Sequence, residues 1–161
     1  MAKVYVSVGT NIDREKHTKA AIKELNQRFD ELRLSSIYEA ESVGYDGENY
    51  FNFVASFTTD LSVGELSKTL KKIEADYGRL PNTPINAGRI IDIDILTYDD
   101  LVGVIDGVQL PRDEITKNAY VLLPLAELAA NTLHPVKRVS YQELWQAFDQ
   151  SKQGLWKIQL I

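Results

Sequence analysis

The chain has 161 residues, 44% hydrophobic and 25% charged, enough for one sizeable core and outside the composition of disordered chains. Its net charge of −5 offers a nucleic acid no domain-wide basic surface, and the absence of cysteine excludes disulfides and thiolate chemistry. The opening MAKVYVSVGTN turns polar too soon for a secretory signal, and no run approaches the ~18 apolar residues of a membrane span. The expectation is a single cytoplasmic domain over residues 1–161, with neither membrane nor nucleic acid as a partner.

Lys3 to Gly9 (KVYVSVG) alternates as a strand, with Val4, Val6 and Val8 on one face and Tyr5 and Ser7 on the other. A helical pattern follows over about 13–29, with Ala21, Ile22, Leu25 and Phe29 on one side. LRLSSIYEA (Leu32 to Ala40) and YFNFVASFTTD (Tyr50 to Asp60) read as two further strands, separated by the polar, glycine-containing loop ESVGYDGEN. Ser62 and Glu65 then form a capping box, flanked by Leu61 and Leu66 as a hydrophobic staple. The helix it opens carries Leu66, Leu70, Ile73 and Tyr77 on one face and stops at Gly78. After the loop RLPNTPINAG comes the strand RIIDIDIL, Arg89 to Leu96.

The order β-α-β-β-α-β predicts an α+β, ferredoxin-like core. Beyond it, LPRDEI predicts a turn into a helix, and AYVLLPLAELAA predicts a helix that Pro124 bends or divides. Ser140 and Glu143, with Val139 and Leu144 around them, open a short helix ending near Phe148, and LWKIQLI supplies a final strand.

RIIDIDIL poses the chemical question. Aspartate is a poor strand former, yet Asp92 and Asp94 stand at i and i+2 and project from one face. Their spacing is about 6–7 Å along the strand, and paired divalent ions in phosphoryl-transfer sites lie about 3.5–4 Å apart. The two carboxylates can therefore hold one or two Mg²⁺, with substrate phosphates completing the shell; a solvated face of an edge strand is the competing reading. Ile91, Ile93 and Ile95 set the register. Arg79 and Arg89 bracket the preceding loop and suit phosphate oxygens, or are plain solvated surface. Asn52, in YFNF, can read the edge of a heterocycle; Tyr50 and Tyr120 can stack on its face or simply fill the core. His17 and His134 have no zinc-like neighbours and are expected on a helix surface and in a loop. Gly9 to Asn11 (GTN) is not a P-loop, and no G-x-S-x-G marks a hydrolase.

Taken together, VYVSVGTNID, SSIYEAESVG, YFNFVASFTTDL, KKIEADYGR, RIIDIDILTYDD and LPRDEITKNAYVLLPLAELAA resemble the 6-hydroxymethyl-7,8-dihydropterin pyrophosphokinase family over almost the whole chain. The strand R-x-[IL]-D-[IL]-D-[IL] is the most specific part. The resemblance implies transfer of pyrophosphate from ATP to the hydroxymethyl group of the pterin, releasing AMP in folate biosynthesis. It implies that Asp92 and Asp94 bind two Mg²⁺, that Asp94 can accept the hydroxyl proton, and that Arg89 and Arg79 neutralise phosphate charge. Asn52 would bond the pterin edge, with Tyr120 and Tyr50 beside the ring and Ser42, Val43 and Gly44 offering backbone groups. Glu74, Lys71, Ile95 and Arg112 would line the nucleotide side. Family members are mostly small and several are monomers, so a monomer is expected.

This chain departs from the family's pattern on the nucleotide side. Gly88 stands where the family usually has proline, Asn86 and Pro81 where it commonly has tryptophan and arginine, and Arg112 and Asn118 where it often has histidine and arginine. These departures point to weaker ATP handling or a rearranged lid. They also keep open a second class of function, a catalytically weakened pterin-binding or regulatory module. The pair Asp92 and Asp94 argues against that module, because a protein without metals has little reason to hold both charges on one strand face. A plain ferredoxin-like interaction domain leaves the motifs unexplained.

Overall fold

The computed structural model describes residues 1–41, 49–78 and 90–160. Ser42, Val43, Gly44, Arg79 and Arg89, in the two loops singled out above, lie outside the described residues. The elements run β1 (Ala2–Thr10), α1 (Arg14–Arg28), β2 (Asp30–Leu34), β3 (Ile37–Ala40), β4 (Tyr50–Thr59), α2 (Val63–Asp76) and β5 (Asp92–Tyr98). Then come β6 (Gly103–Ile105), β7 (Val108–Leu110), a 3-10 turn (Asp113–Thr116), α3 (Ala119–Leu128), α4 (Tyr141–Ala147) and β8 (Leu155–Ile158).

The main sheet has the order β5-β1-β4-β3-β8, with β2 also paired to β4, and its ladders are antiparallel. This is the expected ferredoxin-like core, extended by β8. Strand alternation gives the sheet two faces. Val4, Val6 and Val8 of β1, Phe53, Ala55 and Phe57 of β4, and Ile93 and Ile95 of β5 meet α1 and α2 in the larger core. Phe29 stacks on Phe57 there at 4.0 Å between ring centroids. On the other face Tyr5, Val54 and Leu96 meet Ile115, α3 and Tyr141. That second apolar layer stops short of one end of the sheet, where the same strand faces carry Ser7, Gly9, Asn52, Asp92 and Asp94.

The expected capping box forms at α2: Ser62 Oγ accepts from Glu65 N at 3.2 Å, and Glu65 Oε1 accepts from Ser62 N at 3.0 Å. Ser62→Ala is expected to lower unfolding stability by about 1 kcal/mol, read as a lower denaturant midpoint at unchanged slope. At α4 only half of the motif forms. Ser140 Oγ accepts from Glu143 N at 3.1 Å, while Glu143 Oε1 bonds the Ser140 hydroxyl rather than its backbone N–H.

Two expectations are corrected, one is narrowed and one element is new. LRLSSIYEA is two strands, because the Ser35 hydroxyl takes the Val54 N–H at 2.9 Å and diverts the ladder. Of the two outcomes expected at Pro124, division does not occur: α3 runs through it, its six buried residues outweighing the one backbone bond that proline removes. The β6–β7 hairpin was not foreseen, although its turn is Asp106-Gly107 with both φ angles positive, a strong hairpin signal. Asp106 also accepts from Gly64 N at 3.0 Å in the first turn of α2. Finally, His17 is 8% exposed, not on the helix surface, and its Nδ1 lies 2.7 Å from the Ile12 carbonyl oxygen.

Candidate active site

The register of the central strands assembles the site. Gly9 of β1 pairs with Asn52 on one side and Asp92 on the other, and Ser7 pairs with Asp94. Asn52, Gly9 and Asp92 thus form one row across three strands. A β-carbon at Gly9 would stand 2.9 Å from Asn52 Oδ1 and 3.6 Å from Tyr50 Cδ2. The missing side chain is therefore the space into which the amide and the Tyr50 ring settle. Asn52 is 7% exposed, and its Nδ2 donor has no partner among the described residues. A buried, unsatisfied donor carries a penalty of about 1–3 kcal/mol, which a ligand acceptor at this point would remove.

Asp92 and Asp94 share this face, and Ile91, Ile93 and Ile95 lie in the larger core behind it, as the alternation predicts. Burial first, and the charge of Asp92 second, push Asp94 up to about 7, against the opposing pull of Arg112. Two adjacent hard oxygen donors on one strand face are a donor set that suits Mg²⁺. Among the described residues, no group of three or more His, Cys, Asp or Glu forms a complete protein cage.

Arg112 enters from the segment after the hairpin, its backbone N–H donating to the Leu96 carbonyl at 2.8 Å. Its Nη2 lies 3.6 Å from Asp94 Oδ2 and 2.6 Å from Glu114 Oε1, and its Nε donates to that same Glu114 oxygen at 2.9 Å. Burial works against the guanidinium's charge, but Asp94, Glu114 and Asp92 outweigh it and raise its pKa further. Asn118, at the N-cap of α3, donates to Glu114 Oε2 at 3.1 Å and to the Tyr120 hydroxyl at 2.9 Å. Burial and then Glu114, Asp92 and Asp94 push the Tyr120 phenol up to about 12, keeping it neutral.

The structure thus brings together Asp92, Asp94, Asn52, Tyr50, Tyr120 and Arg112. The rest of the nucleotide-side set is placed differently. Ile95 is 6% exposed, its side chain in the larger core on the sheet face opposite the aspartates. Glu74 is buried and Oε2 accepts from Ile93 N at 2.7 Å, tying α2 to the outer edge of β5. Lys71 is exposed on α2. Sequence reasoning missed Glu114 and the role of Gly9. A glutamate two residues after an arginine has no motif, and Gly9 shows its purpose only once Asn52 is paired beside it.

Fold and site together define a ferredoxin-like domain that presents two carboxylates, a guanidinium and an unsatisfied amide on one sheet face. The family model for 7,8-dihydro-6-hydroxymethylpterin-pyrophosphokinase (HPPK) matches residues 5–130. The chain is 33% identical over 145 residues to a 2-amino-4-hydroxy-6-hydroxymethyldihydropteridine pyrophosphokinase of Aquifex aeolicus, covering 89% of this chain and 90% of that one. Against the enzyme of the same name from Bacillus subtilis it is 31% identical, covering 77% and 76%. A folic acid synthesis protein of Dictyostelium discoideum is 32% identical over 85% of this chain, which spans only 21% of that longer protein. Among solved structures, Plasmodium falciparum HPPK-DHPS crystallised with pteroate superposes with a TM-score of 0.74 at 11% identity, over 91% of this chain and 44% of that one; at that identity the likeness bears on fold alone. The chain belongs to the 7,8-dihydro-6-hydroxymethylpterin-pyrophosphokinase family. It is thereby a pyrophosphokinase of folate biosynthesis, with ATP as co-substrate.

Proposed function

We propose that this chain carries out the family reaction with a divalent-cation requirement met by Asp92 and Asp94, and with the reduced pterin bound across Gly9. The observation that carries this is the single row Asn52–Gly9–Asp92, with the unsatisfied Asn52 donor beside the carboxylate pair. The amide would bond the polar edge of the pterin, and Tyr50 and Tyr120 would flank its ring. The hydroxymethyl group would then lie toward the aspartates. Its oxygen forms a bond to the β-phosphorus of ATP, the bond from that phosphorus to the bridging oxygen of AMP breaks, and AMP leaves.

Asp92 and Asp94 would hold two Mg²⁺, and Asp94 would accept the hydroxyl proton. When bound, Mg²⁺ neutralises charge on the phosphate oxygens and makes the hydroxyl more acidic. Arg112 adds a fixed positive charge to this end of the sheet. Arg89 and Arg79 would meet the phosphates from the preceding loop, Ser42 to Gly44 would give backbone groups to the pterin, and Glu74 and Lys71 would border the nucleotide. The enzyme would act as a cytoplasmic monomer on ATP and 6-hydroxymethyl-7,8-dihydropterin. No helix among the described residues is long and apolar enough to cross a membrane.

The test is a coupled assay for AMP. Release is expected only when ATP, Mg²⁺ and 6-hydroxymethyl-7,8-dihydropterin are all present. AMP formed equally without pterin, or in excess chelator, would overturn the reading.

A further inference from the structure

Arg112 has a choice of carboxylates. Its guanidinium is hydrogen-bonded to Glu114 through two nitrogens, at 2.6 and 2.9 Å, and stands off from Asp94 at 3.6 Å, beyond hydrogen-bond range. Because Arg112's backbone N–H is tied to Leu96, the side chain alone decides between the two acids. Glu114 is held in its turn. Its other oxygen takes the Asn118 amide, its carbonyl accepts from Asn118 N at 3.0 Å, and its neighbour Ile115 is fully buried.

An arginine laid bidentately on an aspartate binds it strongly and covers its oxygens. Such a pairing would compete for the same lone pairs that a divalent cation needs. Asp94 and Glu114 are thus the two choices open to this one side chain, and it lies on Glu114.

We propose that Glu114 is a positioning residue that holds Arg112 off Asp94 and so keeps the carboxylate pair open to a divalent cation. The proposal rests on the reading of Asp92 and Asp94 as metal ligands. The arginine at 112 thereby brings its own acidic tether two residues along. Removing the Glu114 charge lets the guanidinium close onto Asp94.

The experiment uses the full chain with α,β-methylene-ATP and measures Mn²⁺ retention from the free-ion electron paramagnetic resonance signal. Glu114→Gln is expected to weaken Mn²⁺ binding about three- to fivefold, the scale of a partly exposed charge pair. In an Arg112→Gln background the same change is expected to have almost no effect, because no guanidinium remains to close. A loss of equal size in both backgrounds would show that Glu114 acts only as a distant charge, and no loss in either would show that it does nothing to the metal; each result overturns the proposal. If the wild type and Asp94→Asn retain Mn²⁺ alike, the metal-ligand reading itself fails and takes this inference with it. If Asp94→Asn alone loses Mn²⁺ while Glu114→Gln does not, only the role of Glu114 fails.

Discussion

Replacing Asp94 with asparagine is expected to lower AMP release by about a thousandfold, the scale for removing one electrostatic group from a reacting centre, and yet to stabilise the metal-free protein. Both effects follow from the same placement. Asp94 stands beside Asp92 on a partly buried strand face, which lifts it from its ordinary 3.8 to about 7. A carboxyl whose folded pKa lies above its unfolded one holds its proton more tightly when folded. Its contribution to stability is fully present below about 3.8 and is lost as the pH rises through about 7. At pH 8 in chelator the wild type has lost that contribution, whereas the neutral amide never carries the charge. Asp94→Asn should therefore melt higher under those conditions, each ~1 kcal/mol corresponding to about 2–4 °C for a chain of this size. The gain should fade toward pH 4. An unchanged rate of AMP release, or a lower melting point at pH 8 in chelator, would be incompatible with a functional carboxylate pair held against its own repulsion.

How much of this was legible in the sequence depended on whether the deciding interactions were local. The Ser62–Glu65 box spans four residues and states its own geometry, so α2 was found with its start in place. Val4, Val6 and Val8, and Ile91, Ile93 and Ile95, alternate along single strands and disclosed which face is core. The same alternation put Asp92 and Asp94 together before any fold was known. That alternation also directs the Ile95 side chain to the face away from the aspartates. The Asp106–Gly107 turn was equally local and could have been read, since few sequences favour positive φ at two successive positions.

What stayed hidden joins distant parts of the chain. Nothing in GTN says that Gly9 must leave room for an amide 43 positions later; only the β1–β4 register does. The resemblance put Arg112 on the nucleotide side, and the structure places it against Asp94. Its restraint by Glu114 could not be read, because a 3-10 turn and an ordinary helix put a residue two positions away in different directions. The break at Ser35 follows from one hydroxyl intercepting the Val54 N–H across the sheet, which no pattern of apolar residues reports.

The second large effect tests that long-range fit. Gly9→Ala is expected to weaken binding of the reduced pterin nearly as much as Asn52→Ala, by about 30- to 100-fold, the equivalent of two to three hydrogen bonds at about 1 kcal/mol each. The added methyl would arrive 2.9 Å from Asn52 Oδ1 and 3.6 Å from Tyr50 Cδ2. Real β-carbons do not come so near an oxygen, and Asn52 is too buried to swing aside freely. Gly9 lies within the regular β1 ladder and is absent from the positive-φ positions, so the substitution acts through this contact and not through backbone strain. Calorimetric titration of 6-hydroxymethyl-7,8-dihydropterin, with Mg²⁺ and α,β-methylene-ATP present, measures each loss. The decisive comparison is the double variant Gly9→Ala with Asn52→Ala. Once the amide is gone the methyl has little to displace, so the double variant should bind pterin about as well as Asn52→Ala alone, the non-additivity of residues in direct contact. Losses that simply add would mean that Gly9 acts by some route other than Asn52, and wild-type affinity in Gly9→Ala would mean that the row across β4, β1 and β5 does not form the pterin site.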